Sequence, residues 1–167
     1  MTGTTLLQLA NVTLAGTLLG HEVGTLVSVH PALARLPPAA HVAAERAVNA
    51  RAGRVMPTLM TAALASGAAV TVDLARRRAP RAGLALAGTG ALAAMLGITL
   101  RGNMPLNRQI RTFPDVPDVP GEPSDPGRYV RFRELQARWD RLHAVRVALD
   151  AAAFGCFAVA AQPAAEA

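Results

Sequence analysis

The sequence contains no lysine, a single cysteine and very few aromatic residues. Cys156 is the only cysteine among 167 residues, so no disulfide can form within the chain. Aromatic residues make up 4% of the composition. Runs that alternate between apolar and polar residues are nearly absent, which argues against a β-sheet. We therefore predict an all-α fold in a single domain over residues 1–167.

The charge and the hydropathy of the chain favour a membrane over nucleic acid. The formal net charge is +6, and every basic side chain apart from the histidines is an arginine. Such a charge suits an anionic membrane surface or nucleic acid, but 51% of the residues are hydrophobic. No nucleic-acid-binding motif is present. We expect a protein embedded in the lipid bilayer of a bacterial inner membrane, with no nucleic-acid partner.

Four apolar stretches are long enough to cross a bilayer as helices. No basic region precedes the first stretch, which we therefore interpret as a retained helix rather than a signal peptide. A short helix over residues 38–51, ended by Gly53, is predicted to lie at the membrane surface after the first span. The arginine-rich connection at residues 76–81 favours the cytoplasmic side, and a Pro-rich loop at residues 114–127 precedes the last span. The predicted spans of this four-helix bundle are residues 6–29, 55–74, 83–100 and 139–161.

The last helix carries a row of aromatic and polar side chains into its apolar half. Their spacing of four, three and four residues puts them on one helix face. Charged groups in an apolar helix are costly unless they meet partners. We expect Glu22, which interrupts the first span, to be the partner of the arginine. The row consists of Trp139, His143, Arg146 and Asp150, and the aspartate is interpreted as a partner for an arginine or for a neighbouring helix rather than as a catalytic acid.

Two further polar rows are predicted to lie at the same end of the bundle. His41 and Glu45 are four residues apart on the short helix. Asn103 and Asn107 have the same spacing after the third span, with Arg111 one turn further on. The connections after the first and third spans lie on one side of the membrane. We therefore expect both rows to meet the polar half of the last helix.

Two motifs connect the chain with a known family. Residues 103–107 read Asn-Met-Pro-Leu-Asn, and residues 139–146 follow the pattern W-x-x-x-H-x-x-R. The pattern x-P-A-L-x-x-L-P at residues 30–37 agrees with them. With these motifs at this separation, the chain resembles the anthrone oxygenase-like family of small four-helix membrane proteins. The resemblance extends over nearly the whole chain.

The resemblance implies that the protein oxidises an activated aromatic carbon with O₂, typically an anthrone to an anthraquinone in a polyketide pathway. A small aromatic molecule and O₂ are then the expected partners. The site residues that the resemblance carries over are Asn103, Asn107, Trp139, His143 and Arg146.

The chemistry of such a substrate gives each of these residues a role. His143 is the predicted general base, and Arg146 is predicted to stabilise the enolate that results. The carbanion of an anthrone can react with O₂ without a cofactor, so none is required. The alternative is a network in which these groups only satisfy one another between helices. The predicted substrate-binding residues are Asn103, Asn107, Trp139 and Arg111, although asparagines also serve commonly to fasten helix ends.

A metal centre is the second hypothesis, because all four histidines lie in or near the first span or the predicted site end, together with two glutamates. His41 and Glu45 can ligate one ion from one helix face, and the first and last helices can complete a site for Fe, Cu or Zn. The alternative for this pair is an exposed surface position. His30, which precedes Pro31, is interpreted as an interfacial residue that ends the first helix. The candidate metal ligands are His21, Glu22, His41 and Glu45, together with His143.

A non-catalytic role is the third hypothesis. In this case the chain is a small membrane binding or transport subunit, and its polar rows serve only to hold the helices together. The sequence leaves the oligomeric state open, and a homo-oligomer is compatible with it.

Overall fold

The computed structural model describes residues 3–116 and 127–162, and within these ranges the chain is helical with no strand. Helix α1 (Gly3–Gly24) continues through a π-helical turn (Thr25–Val29) into α2 (His30–Leu33). After a short connection, α3 extends over 39 residues. Helix α4 likewise continues through a π-helical turn (Thr99–Asn103) into α5. The remaining helices are α3 (Pro38–Arg76), α4 (Ala82–Ile98), α5 (Met104–Arg111) and α6 (Gly127–Ala160).

Four helical segments of the described chain are long and apolar enough to cross a membrane. Each has at least 30 residues, which at the α-helical rise corresponds to about 45 Å or more, beyond the ~30 Å of a bilayer core. The all-α, four-helix prediction is therefore confirmed, and the chain is an integral membrane protein. The segments are Thr4–Leu33, Pro38–Arg76, Ala82–Arg111 and Gly127–Ala160.

The predicted surface helix at residues 38–51 is not a separate element. Helix α3 continues through Gly53 and also through Pro57. One glycine costs a helix only about 1 kcal/mol relative to alanine, which the hydrogen bonds and packing of a 39-residue helix exceed. As a result, His41 and Glu45 stand on the same rigid helix as the second span. Most of the predicted Pro-rich loop, residues 117–126, lies outside the described residues.

Close helix packing forms an apolar core around Phe157. Phe157 of α6 is 1% exposed and packs against two glycines of neighbouring helices. A Cβ atom at Gly67 would lie 2.7 Å from the Phe157 ring, and one at Gly88 would lie 3.0 Å from it. A side chain at Gly67 would therefore force the Phe157 ring to shift, and one at Gly88 would make an unusually tight contact with it. A second apolar cluster, which includes Val42, Leu106 and Phe132, packs around Trp139 at the other end of the polar region.

Candidate functional site

The predicted row on α6 faces the interior of the bundle. Trp139, His143, Arg146 and Asp150 are all buried. Exposed residues such as Val145 lie on the opposite side of the same helix. The spacing in the sequence therefore predicted this face correctly. The row extends from the apolar cluster around Trp139 towards the core around Phe157.

Glu22 of α1 contacts two members of this row, His143 and Arg146. Arg146 donates a hydrogen bond of 2.6 Å from Nη2 to Glu22 Oε1. The Nδ1 atom of His143 lies 3.1 Å from Glu22 Oε2, and its Nε2 atom lies 3.1 Å from the Glu22 backbone oxygen. Glu22 itself is 2% exposed. The partnership of Glu22 with Arg146 that the sequence predicts is thus present, and His143 joins it.

The contact with a backbone carbonyl fixes one proton on His143. A carbonyl oxygen only accepts hydrogen bonds, so the Nε2 atom that meets Glu22 O must carry hydrogen. The Nδ1 atom faces the carboxylate of the same residue, although the contact lacks hydrogen-bond geometry. Both ring nitrogens of His143 therefore lie next to oxygen atoms of Glu22, and only Nε2 makes a hydrogen bond with one of them.

Asp150 adds a second carboxylate to the buried group. It lies one helical turn beyond Arg146, and neither of its carboxylate oxygens has a hydrogen-bond partner among the described residues. Glu22 and Asp150 carry two negative charges when ionised, against the one permanent charge of Arg146. Because uncompensated charge is costly in an apolar interior, the group favours holding one additional proton. His143 or one of the carboxyl groups can carry that proton.

His30 belongs to the site, although the sequence predicted only an interfacial role for it. Its Nδ1 atom donates a hydrogen bond of 2.8 Å to Asp140 Oδ1. Its ring centroid lies 4.6 Å from that of Trp139 and 6.2 Å from that of His143. The rings of Trp139 and His143 are likewise 4.6 Å apart. We call His30, Trp139 and His143 the ring cluster.

The π-helical turn explains why sequence reasoning missed His30. The buried positions of α1 follow α-helical spacing at Asn11, Ala15, Leu18 and Glu22, and this series would continue at position 29. The turn at Thr25–Val29 inserts about one residue, which moves the inward position by roughly 100°. Val29 is therefore exposed and His30 is buried. No feature of the sequence marks such a turn, although π-helical turns are frequent at functional sites.

The two asparagines of the family motif hold Trp139. The indole Nε1 donates a hydrogen bond of 2.6 Å to Asn107 Oδ1, which also accepts one of 2.8 Å from Asn49. Asn103 lies at the end of the second π-helical turn and donates a long hydrogen bond of 3.4 Å to the Trp139 carbonyl oxygen. The Oδ1 atom of Asn103 is buried without a partner among the described residues. Both asparagines therefore hold Trp139 in place, and the Oδ1 atom of Asn103 can still accept a hydrogen bond.

His41 and Glu45 form a buried branch of the same network rather than an exposed surface pair. Glu45 Oε1 accepts a hydrogen bond of 2.6 Å from Gln136 and lies 3.6 Å from His41 Nε2. The other carboxylate oxygen of Glu45 lies 3.8 Å from Nε2 of His30. His41 Nδ1 contacts the Tyr129 hydroxyl at 2.9 Å. The sequence predicted that this pair would meet α6, and it does.

Two predicted site residues lie outside the buried polar network that contains Glu22, Glu45 and His143. His21 is exposed while Glu22, the next residue, is buried, because successive residues on an α-helix are about 100° apart. Arg111 is exposed for the same reason, since Leu106 and Ile110 form the buried face of α5. His21 therefore does not join His41, Glu45 and His143. Within the described ranges, no three His, Cys, Asp or Glu side chains are arranged to hold a metal ion.

A family model described as anthrone oxygenase matches residues 44–156, which is more than half of the chain. No curated protein and no solved structure matches the sequence. The matched range includes the polar row of α6 and both motif asparagines, whereas Glu22 and His30 precede it.

Proposed function

The chain belongs to the anthrone oxygenase family, and on that premise we propose that it is an oxygenase of the bacterial inner membrane. Its substrate is a small aromatic or polyketide-type molecule with an activated methylene carbon. The overall reaction converts the CH₂ group and one O₂ into a carbonyl group and one water. No metal or organic cofactor takes part, because the deprotonated substrate itself supplies the electrons that reduce O₂.

The observation that carries this proposal is the contact between the ring cluster and the buried charges. Two imidazoles pack against the indole of Trp139, and the Glu22–Arg146 ion pair is in direct contact with His143. Ionisable side chains inside a membrane protein are costly, and for that reason they commonly mark functional sites. A base, a flat aromatic surface and a cation are the groups that an enolisable aromatic substrate requires.

The reaction proceeds in two halves, each of which removes one proton from the same carbon. A histidine of the ring cluster first removes a proton, and Arg146 and the imidazole of His143 stabilise the enolate electrostatically. The electron-rich carbon then gives an electron to O₂ and combines with it, and the peroxide takes up a proton to form a hydroperoxide. Loss of the second C–H proton with cleavage of the O–O bond leaves the carbonyl group and releases water.

The other residues of the site bind and orient the substrate. Trp139 packs against the two imidazoles that would meet an aromatic substrate, and its indole is held in place by Asn107. The spare Oδ1 acceptor of Asn103 suits a phenolic hydroxyl of the substrate. Two residues of α3 connect to α6 beside the ring cluster. Glu45 accepts a hydrogen bond from Gln136, and His41 contacts Tyr129.

Turnover of a dihydroxyanthrone by the purified protein in lipid nanodiscs tests the proposal. We expect the quinone to form faster than by spontaneous oxidation, with one O₂ consumed for each quinone. Absorbance of the quinone and an oxygen electrode give the two rates. Empty nanodiscs and heat-unfolded protein provide the background, and a rate equal to that background would contradict the proposed function.

A further inference from the structure

We propose that His30, together with Asp140, is the catalytic base of this site, and that His143 is not. This inference rests on the proposed oxygenase function and assigns the residue that performs its first step. His30 lies before the range that the family model matches.

The hydrogen bond to Asp140 leaves one nitrogen of His30 ready to accept a proton. A carboxylate only accepts hydrogen bonds, so Nδ1 of His30 carries the hydrogen that Asp140 Oδ1 binds at 2.8 Å. In the neutral ring, Nε2 therefore has a free lone pair. A carboxylate that holds one imidazole nitrogen in this way orients the ring and stabilises its protonated form. Glu45 Oε2, at 3.8 Å from Nε2, adds to that stabilisation.

His143 lacks this arrangement. Its Nε2 atom already carries the hydrogen that meets the Glu22 carbonyl oxygen, and its Nδ1 atom faces the Glu22 carboxylate. Nδ1 is buried and lies 3.1 Å from Glu22 Oε2, so a substrate proton cannot reach it unless that carboxylate moves. The ring of His143 therefore acts as part of the buried charged group and not as an open base.

The position of His30 also gives the proton a route to water. The side chain of His30 is 11% exposed, whereas that of Asp140 is 41% exposed. When Nε2 takes the substrate proton, the ring becomes an imidazolium, and the Asp140 carboxylate stabilises its charge. Nε2 then gives that proton to water or to the reduced oxygen, so the same N–H bond that formed is broken and the neutral ring regains its starting tautomer with hydrogen on Nδ1. Asp140 is in this scheme a positioning residue that acts through His30.

Exchange of the substrate methylene hydrogens in D₂O without O₂ isolates this step from the oxidation. We expect the wild-type protein in nanodiscs to accelerate exchange of a dihydroxyanthrone above its spontaneous rate, as measured by NMR or mass spectrometry. His30→Ala should lower the accelerated rate by about 10²–10⁴-fold, the usual contribution of a general base. Added imidazoles should restore it, and the restored rate should rise with the basicity of the imidazole.

Three variants separate a base from a structural residue. His30→Asn can keep the hydrogen bond to Asp140 but has no basic nitrogen, so it should remain folded and lose exchange. Asp140→Asn should slow exchange less than His30→Ala does, without a change in KM. His21→Ala removes an exposed histidine nine residues earlier on the same continuous helical segment. This variant should exchange the substrate methylene hydrogens at the wild-type rate.

The outcomes distinguish this inference from the proposed function. If the wild-type protein accelerates exchange and folded His30→Asn does so equally, His30 is not the base. Imidazole rescue in His143→Ala but not in His30→Ala would assign the base to His143 and overturn the inference. If the wild-type protein accelerates neither exchange nor quinone formation, both the inference and the proposed function fail.

Discussion

Replacing Arg146 with alanine should lower the free energy of unfolding by about 3–5 kcal/mol, the cost of breaking a buried ion pair from one side. Arg146 is 4% exposed and binds Glu22 Oε1 at 2.6 Å. Without the guanidinium, the carboxylates of Glu22 and Asp150 would remain in an apolar interior with no permanent cation beside them. Denaturation in mixed micelles, followed through the fluorescence of Trp139, measures the change.

A matched arginine on the same helix provides the control. Arg141 is exposed, and its Nε atom donates only to the Ala137 carbonyl oxygen. Arg141→Ala should change the unfolding free energy by no more than about 0.5 kcal/mol. The double variant Glu22→Gln with Arg146→Met removes both charges and should recover part of the loss. Equal effects of Arg146→Ala and Arg141→Ala would show that the pair with Glu22 does not stabilise the bundle.

Replacing His143 with glutamine should lower kcat by about 10²-fold, in the range found when one stabilising group is removed from an oxyanion site. The glutamine amide can still donate to the Glu22 carbonyl oxygen, so the local fold should survive. Unlike an imidazole, it cannot become a cation beside the carboxyl groups of Glu22 and Asp150. The enolate would then form with one group fewer beside it that can carry positive charge, and its formation would be slower.

The kinetic pattern identifies this role. Steady-state O₂ uptake should show a reduced kcat with a nearly unchanged KM, because the charge acts on the enolate more than on the bound neutral substrate. Added imidazole should not restore the rate, in contrast to the expectation for His30→Ala. Wild-type kcat in His143→Gln would remove His143 from the mechanism altogether.

Much of the site could be predicted because buried charge follows strict rules. The spacing of Trp139, His143 and Arg146 defined one helix face, and the cost of burying Glu22 required a cation beside it. Both expectations correspond to observed contacts. The meeting of His41 and Glu45 with α6 followed from the order of the helices alone.

The features that could not be predicted depend on how each helix continues and on which of its residues face inwards, and a shift of one residue changes this. The π-helical turn before His30 rotates that side chain inwards, and no residue type in Thr25–Val29 signals it. Gly53 was predicted to end a helix, but the packing of α3 outweighs its weak preference. Arg111 was assigned by continuing the spacing of Asn107, whereas the buried face of α5 passes through Ile110. Local propensity does not contain these tertiary effects.

Oxidation under ¹⁸O₂ by protein of measured metal content tests the central claim most directly. The substrate is the dihydroxyanthrone in nanodiscs, and the product is analysed by mass spectrometry. The proposed mechanism predicts one ¹⁸O atom in the new carbonyl group of each quinone, formed at full rate by protein that contains far less than one metal ion per chain. Quinone that carries only oxygen from water, or activity that rises in proportion to bound metal, would contradict a cofactor-free oxygenase.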